Sequence, residues 1–231
     1  MNQSIGMISL GCAKNQVDAE QMLFLLQQAG YLIQPQPEGA DLVIVNTCGF
    51  IESAKTEAID NILAMAQLKT EGKIGKILVT GCLAQRYQEE ILQELPEVDG
   101  ILGTGSYYDV VGAVRQLLSG AEGLRDIGDI QAPIRECGRI LTTPKHYAYL
   151  KIAEGCDNHC AFCIIPALRG KYRSRPMEKL VVEATGLARS GAKELIVVAQ
   201  DTSRYGIDLY GERRLAELLQ ALCRIDGIEW V

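Results

Sequence analysis

Three thiols fall within one short run, Glu154-Gly155-Cys156-Asp157-Asn158-His159-Cys160-Ala161-Phe162-Cys163. C-x3-C-x2-C spacing lets one loop wrap a single inorganic centre. A structural zinc site or a ferredoxin-type 4Fe-4S site takes four protein ligands, and no fourth cysteine follows nearby. Three thiolates on a four-iron cube leave one iron open to an outside ligand. The same residues also fit a zinc knuckle completed by His159 or a distant side chain, or three unrelated core cysteines. Gly155 permits close approach of backbone, and Phe162 is placed to shield a centre from water and tune its potential.

Three more cysteines share a different pattern: Leu10-Gly11-Cys12, Asn46-Thr47-Cys48-Gly49 and Thr80-Gly81-Cys82 each follow an apolar, strand-like run. The runs are residues 5–10, 42–45 and 77–79, and helix-like stretches follow over 15–29, 52–68 and 84–94. A weaker strand at 100–102 and a helix over 106–118 complete the alternation. Repeated βα order implies an α/β fold with a parallel sheet and helices on both faces. In such a sheet the carboxyl ends of the strands share one edge, where ligands bind, so Cys12, Cys48 and Cys82 are expected to meet. Each has a glycine beside it and stands near a helix N-terminus, which favours thiolate. A zinc site, or three small buried side chains at strand ends, uses the same residues.

The chain has 231 residues, 48% hydrophobic and 23% charged, with formal net charge −6. That charge argues against a broadly basic nucleic-acid-binding surface and leaves room for a local patch. No run approaches the roughly 18 apolar residues of a membrane span, and Met1-Asn2-Gln3-Ser4 lacks the basic start of a signal peptide. A cytoplasmic protein without membrane association is expected, in which eight cysteines signify metal or redox chemistry rather than disulfides. Glycines and prolines break periodicity over 119–145, so the expected organisation is an N-terminal domain over 1–118, a linker over 119–145 and a second domain over 146–231. Cys137 in the linker and Cys223 in a helical pattern have no partner motif and are read as structural.

The second domain opens with a strand at 147–152 that delivers the cysteine loop at its carboxyl end. A helix over 178–190, a strand over 194–199, a helix over 213–225 and the beginning of another strand at 228–231 follow. This is a partial (βα) barrel, and the chain reads as truncated at its C-terminal end. Arg169, Lys171, Arg173 and Arg175, with Tyr172 among them, form a basic run suited to contact with a cofactor or an acidic partner, or else a solvated loop face. Gln200-Asp201 at a strand end is placed for function or for capping.

The loop of Cys156, Cys160 and Cys163 matches the signature of radical S-adenosylmethionine (SAM) enzymes. The segments Ser9-Leu10-Gly11-Cys12-Ala13-Lys14-Asn15, Asn46-Thr47-Cys48-Gly49-Phe50-Ile51 and Val79-Thr80-Gly81-Cys82-Leu83-Ala84-Gln85-Arg86 resemble the cysteine motifs of the methylthiotransferase family within that group. The stretch from His146 to Glu154, Ile164-Ile165-Pro166 and Val198-Ala199-Gln200-Asp201-Thr202 extend the likeness over nearly the whole chain. The resemblance implies two 4Fe-4S clusters. One, on Cys156, Cys160 and Cys163, binds SAM and reduces it to methionine and a 5′-deoxyadenosyl radical that removes hydrogen from an unactivated carbon. The other, auxiliary cluster, on Cys12, Cys48 and Cys82, supplies sulfur. The details are most similar to the branch that acts on the β-carbon of an aspartate in ribosomal protein S-12 of the small subunit, which also requires a reducing electron donor. Methylthiolation of tRNA adenosine uses the same six cysteines and is the alternative, as is a non-catalytic iron–sulfur or zinc-binding fragment.

Overall fold

Leu42-Val43-Ile44-Val45-Asn46-Thr47 is the centre of the N-terminal half, since all six residues are buried. Val43 and Val45 pack to one side against Ala58, Ile62, Ile77 and Val79. Leu42 and Ile44 pack to the other against Ile5, Met22, Leu26 and Val114. A strand covered on both faces needs apolar residues at every position rather than at alternate ones. In the computed structural model, which describes residues 3–231, this segment is β3 of a six-stranded sheet. Met1 and Asn2, part of the stretch read for a signal peptide, lie outside the described residues.

The sheet is built from β1 (Ser4–Ser9), β2 (Leu32–Gln34), β3 (Leu42–Thr47), β4 (Lys76–Gly81), β5 (Gly100–Gly105) and β6 (Leu124–Gly128). Their order is β2-β1-β3-β4-β5-β6, and every pairing is parallel. Helices α1 (Ala13–Gln28), α2 (Glu52–Thr70), α3 (Cys82–Glu94) and α4 (Val110–Leu118) connect the strands. Helices α2 and α3 cover one face, and α1 and α4 the other.

Two strands depart from expectation. β2 and β6 stand at the sheet's edges, too short and too polar to show periodicity, and their pairing comes from the backbone ladder with β1 and β5. The glycines that suggested a featureless connection over 119–145 instead bracket β6: Gly123 and Gly128 both have positive φ, 62° and 64°. The helix expected from residue 106 begins with a 3₁₀ turn, Tyr107–Asp109, before α4.

The chain divides into two compact units, one ending at Ala132 and the other spanning Pro133–Val231. In the second, β7 (Tyr147–Lys151) pairs in parallel with β10 (Glu194–Val198), and Trp230 makes a parallel bridge to Glu194. A short antiparallel pair joins β8 (Ala153–Glu154) to β9 (Arg173–Ser174). Helices α5 (Ile165–Arg169), α6 (Met177–Arg189), α7 (Ile207–Tyr210) and α8 (Leu215–Leu222) complete the unit, whose core gathers Leu150, Leu180, Leu195, Leu218 and Leu222. Among the described residues no helix is long and apolar enough to cross a membrane.

Ile44 is fully buried at the centre of the sheet, so Ile44→Ala should lower the stability of the first unit by about 2–5 kcal/mol. Urea unfolding followed by hydrogen exchange in β3 and β4 measures it; an unchanged midpoint would contradict this packing.

Candidate functional sites

Cys12 is the residue before α1, Cys48 directly follows β3, and Cys82 is the first residue of α3, directly after β4. Because β1, β3 and β4 are consecutive neighbours in one parallel sheet, these three positions share its carboxyl edge. The loops are pressed together where the glycines stand. A methyl carbon at Gly11 would lie 2.5 Å from Cys48 Cβ and 3.3 Å from its Sγ; one at Gly49 would lie 2.9 Å from Leu83 Cα and 3.1 Å from the Cys82 carbonyl carbon. Gly81, with φ +93°, leaves no room for a side chain against the Thr47 carbonyl oxygen, 2.4 Å away. Cys12 is exposed, Cys48 half-buried and Cys82 buried. Cys12 and Cys48 open into a cavity of about 580 Å³ shared with Phe50, Ile51 and Ala54.

A buried polar network, which the cysteine spacing did not reveal, holds this edge. The Asn15 side chain donates to the carbonyls of Leu10, at 3.1 Å, and Thr47, at 2.8 Å, tying the chain before Cys12 to the chain before Cys48. Asn46 Nδ2 donates back to the Asn15 carbonyl at 2.7 Å, and Thr47 Oγ1 donates to the Thr80 carbonyl at 2.6 Å. The three cysteine-bearing strand ends are thereby linked in series. Periodicity gave no signal for this network, because Asn15 lies in the first turn of a helix whose buried residues also include Asp18, Glu20 and Gln21.

In the second unit, β7 and β8 lead into the loop of Cys156, Cys160 and Cys163. Gly155 has φ +76°, and a methyl carbon there would lie 2.1 Å from the Lys171 carbonyl oxygen, so only glycine fits at the loop's entry. The Cys156 amide donates to the Gly170 carbonyl at 3.1 Å and the Cys163 amide to the Cys160 carbonyl at 3.0 Å. His159 adopts φ 44°, which turns the chain inside the motif. Cys156 is buried, Cys163 half-buried and Cys160 exposed. Asp157 accepts from the Tyr172 amide at 3.0 Å, and Asn158 donates to Asp201 at 2.9 Å.

Behind the loop lies a buried charge cluster. Glu154 accepts from Lys151 Nζ at 2.9 Å, Arg169 at 3.2 Å and Gln200 Nε2 at 2.9 Å. Burial pushes its carboxyl group up, but the charges of Lys151 and Arg169 overcome that and hold it well below the ordinary carboxylate range. Arg175 is also buried, with its guanidinium against Glu136 and Glu183 and its carbonyl oxygen accepting from Tyr205 at 2.9 Å. Two members of the basic run at 169–175 are therefore interior ion-pair partners, while Lys171 remains exposed. Asp201 caps the 3₁₀ turn Thr202–Arg204, and Gln200 Oε1 is buried with no hydrogen-bond partner. Phe162, expected to shield the site, is 90% exposed. Burial and the Glu183 charge push the Cys137 thiol up to about 11, unlike a ligating thiolate, and Cys223 is exposed at the end of α8.

Among the described residues no three or more His, Cys, Asp and Glu side chains are already gathered about a metal-ion position. The glycines at 11, 49, 81 and 155 let neighbouring chain segments pack against the cysteine loops, and the all-thiol donor sets those loops carry fit an iron–sulfur centre.

Over 228 residues, 98% of its length, the chain is 53% identical to "Ribosomal protein uS12 methylthiotransferase RimO" of Clostridioides difficile. By sequence it is similar to the RimO methylthiotransferases. The protein of the same name from Desulforamulus reducens is 51% identical over 99% of the chain. The chain spans about half the length of these curated relatives, 51% and 52%. Residues 4–103, most of the unit bearing Cys12, Cys48 and Cys82, match the uncharacterized protein family UPF0004. Among solved structures, the radical SAM methyltransferase TsrM from Kitasatospora setae superposes with TM-score 0.63 at 10% identity, over 95% of this chain and 50% of that one. The cobalamin-dependent radical SAM enzyme OxsB gives TM-score 0.63 at 13% identity, over 99% of this chain and 38% of that one. The chain thus shares the α/β fold of these solved structures.

Glu154→Gln withdraws the buried carboxylate that Lys151 and Arg169 share, so it should destabilise the second unit by about 3–5 kcal/mol. Because the folded carboxyl group titrates below its unfolded value, its contribution is present above pH ~4.3 and lost as pH falls toward the folded value. Chemical denaturation at stepped pH should show this acid-side loss in the parent and a weaker one in the variant; equal stability at neutral pH would contradict the network. At the other site, Asn15→Leu should slow capture of a thiol-bridging bis-maleimide between Cys12 and Cys48 at least several-fold in metal-free protein, read by mass spectrometry.

Proposed function

We propose that this chain belongs to a radical SAM methylthiotransferase that places a methylthio group on the β-carbon of an aspartate in ribosomal protein uS12. The observation that carries this reading is the presence of two separate three-cysteine sets, each on loops that glycines allow to pack closely, in a chain about half identical to uS12 methylthiotransferases along nearly its full length. Cys156, Cys160 and Cys163 would hold the SAM-binding 4Fe-4S cluster, and Cys12, Cys48 and Cys82 an auxiliary 4Fe-4S cluster. Three ligands apiece leave an open iron at each site, and when bound, these groups supply the one-electron chemistry and the methylthio sulfur, with electrons from a reducing donor.

The chain's own residues bind and orient. Asn15, Asn46 and Thr47 would keep three separately encoded thiols at one edge while the cluster is loaded. Glu154, fixed by Lys151 and Arg169, anchors the start of the second loop without titrating at neutral pH, and it also orients Gln200, whose buried Oε1 is an acceptor available to a bound cofactor. We place this activity in the cytoplasm, where eight free cysteines persist as thiols.

Anaerobically reconstituted protein, given SAM, a strong reductant and uS12, should add to uS12 the mass of one methylthio group in place of hydrogen, mapped to an aspartate by tandem mass spectrometry. Cys12→Ala and Cys160→Ala should each reduce the product to background. Modification of tRNA instead, or unaffected turnover in either variant, would overturn the reading.

A further inference from the structure

Helix α2 carries an apolar ridge that stands exposed among the described residues of its unit. Ile51, just before the helix, is followed at four-residue intervals by Lys55, Ile59 and Leu63, and Phe50 adjoins it. Among the described residues of the first unit, Phe50, Ile51, Ile59 and Leu63 are four of the five large hydrophobic side chains that stand exposed, at 43%, 53%, 40% and 47%. Such concentration on one element marks a contact surface rather than scattered surface apolarity. Beside the ridge, α2 and α3 enclose a groove of about 450 Å³ whose apolar wall includes Ile59, Leu83, Tyr87 and Ile91.

The rim of the groove is acidic. Glu52, Glu90 and Glu94 line it against one ammonium, that of Lys55, which is already paired with Glu52 and donates to Tyr87 Oη at 3.3 Å. A ligand that buries an apolar side chain here gains most if it brings positive charge to the rim. The position relative to the cysteines is also specific. The first two turns of α2 line the groove through Glu52, Lys55 and Thr56, and through Ser53, Ala54 and Glu57 they line the cavity that holds Cys12 and Cys48. The two hollows are separated by one helix, about 10 Å across.

We propose that this groove receives a basic, partly apolar segment of the polypeptide substrate, docking it beside the cavity of Cys12 and Cys48. The inference rests on the reading that the substrate is a protein, and it adds where that protein is gripped. Its chemistry is a lysine- or arginine-bearing stretch with an aliphatic or aromatic side chain seated between α2 and α3.

The test titrates fluorescently labelled uS12 into the reconstituted chain, by anisotropy at low and physiological salt. Two double variants are compared, Ile59→Asp with Leu63→Asp, and Glu90→Lys with Glu94→Lys. All four positions are exposed, so circular dichroism and iron content should match the parent. Each double variant should weaken binding at least tenfold, and the charge-reversed one should lose most of the salt dependence. Parent-like affinity in both would overturn the groove as the docking site, even if uS12 is still modified, in which case the functional reading stands. Sedimentation showing that the ridge instead pairs two copies, or parent protein that binds tRNA and not uS12, would overturn the proposed occupant. Failure of uS12 to be either bound or modified would remove both readings.

Discussion

The parallel register of β1, β3 and β4 is the constraint on which the first site depends. Cys12, Cys48 and Cys82 are 36 and 34 positions apart in sequence, and nothing local brings them together. The hydrogen-bond ladder pairs Ser9 with Asn46 and Thr47 with Gly81, so each chain leaves the sheet at the same level. Apolar burial on both faces of β3 fixes that register, since a one-residue slip would turn Val43 and Val45 toward the wrong helix layer. The Asn15, Asn46 and Thr47 bonds then determine how the exits lie, and glycines keep the loops in contact. Packing, polar satisfaction and backbone freedom act at one edge.

The second site solves a different problem. Its thiols are neighbours in sequence, and what must be secured is the frame around a short loop. A buried carboxylate flanked by Lys151 and Arg169 does this at the loop's entrance. Isolated, each of those charges would be costly in the interior; together they satisfy one another's hydrogen bonds and lock β8 to the end of α5. The Arg175 pairing with Glu136 and Glu183 fastens the segment before β7 to α6 in the same way.

How much of this was legible in the sequence follows from where the determining interactions lie. β3 and β4 were readable because burial on both faces leaves uninterrupted apolar runs, and repeated βα order placed three cysteines at one edge without any view of their contacts. β2 and β6 were not readable, because an edge strand is held by backbone bonds that carry no side-chain signature. Arg169 and Arg175 look no different in sequence from Lys171 and Arg173. Their burial depends on Glu154, Glu136 and Glu183, 15, 39 and 8 residues away, a tertiary property that charge patterning cannot show. Phe162 shows the converse, an aromatic residue inside the cysteine motif that faces outward in this chain.

On the proposed function, one chain would hold two independent iron–sulfur sites of three cysteines each. Iron and acid-labile sulfide, counted after anaerobic reconstitution of the parent and of the Cys156/Cys160/Cys163 triple-alanine variant, test it most directly. About eight irons are expected in the parent and about four in the variant, since each cluster carries four. A variant that binds no iron would show that Cys12, Cys48 and Cys82 hold no cluster of their own, and the two-site account would fall.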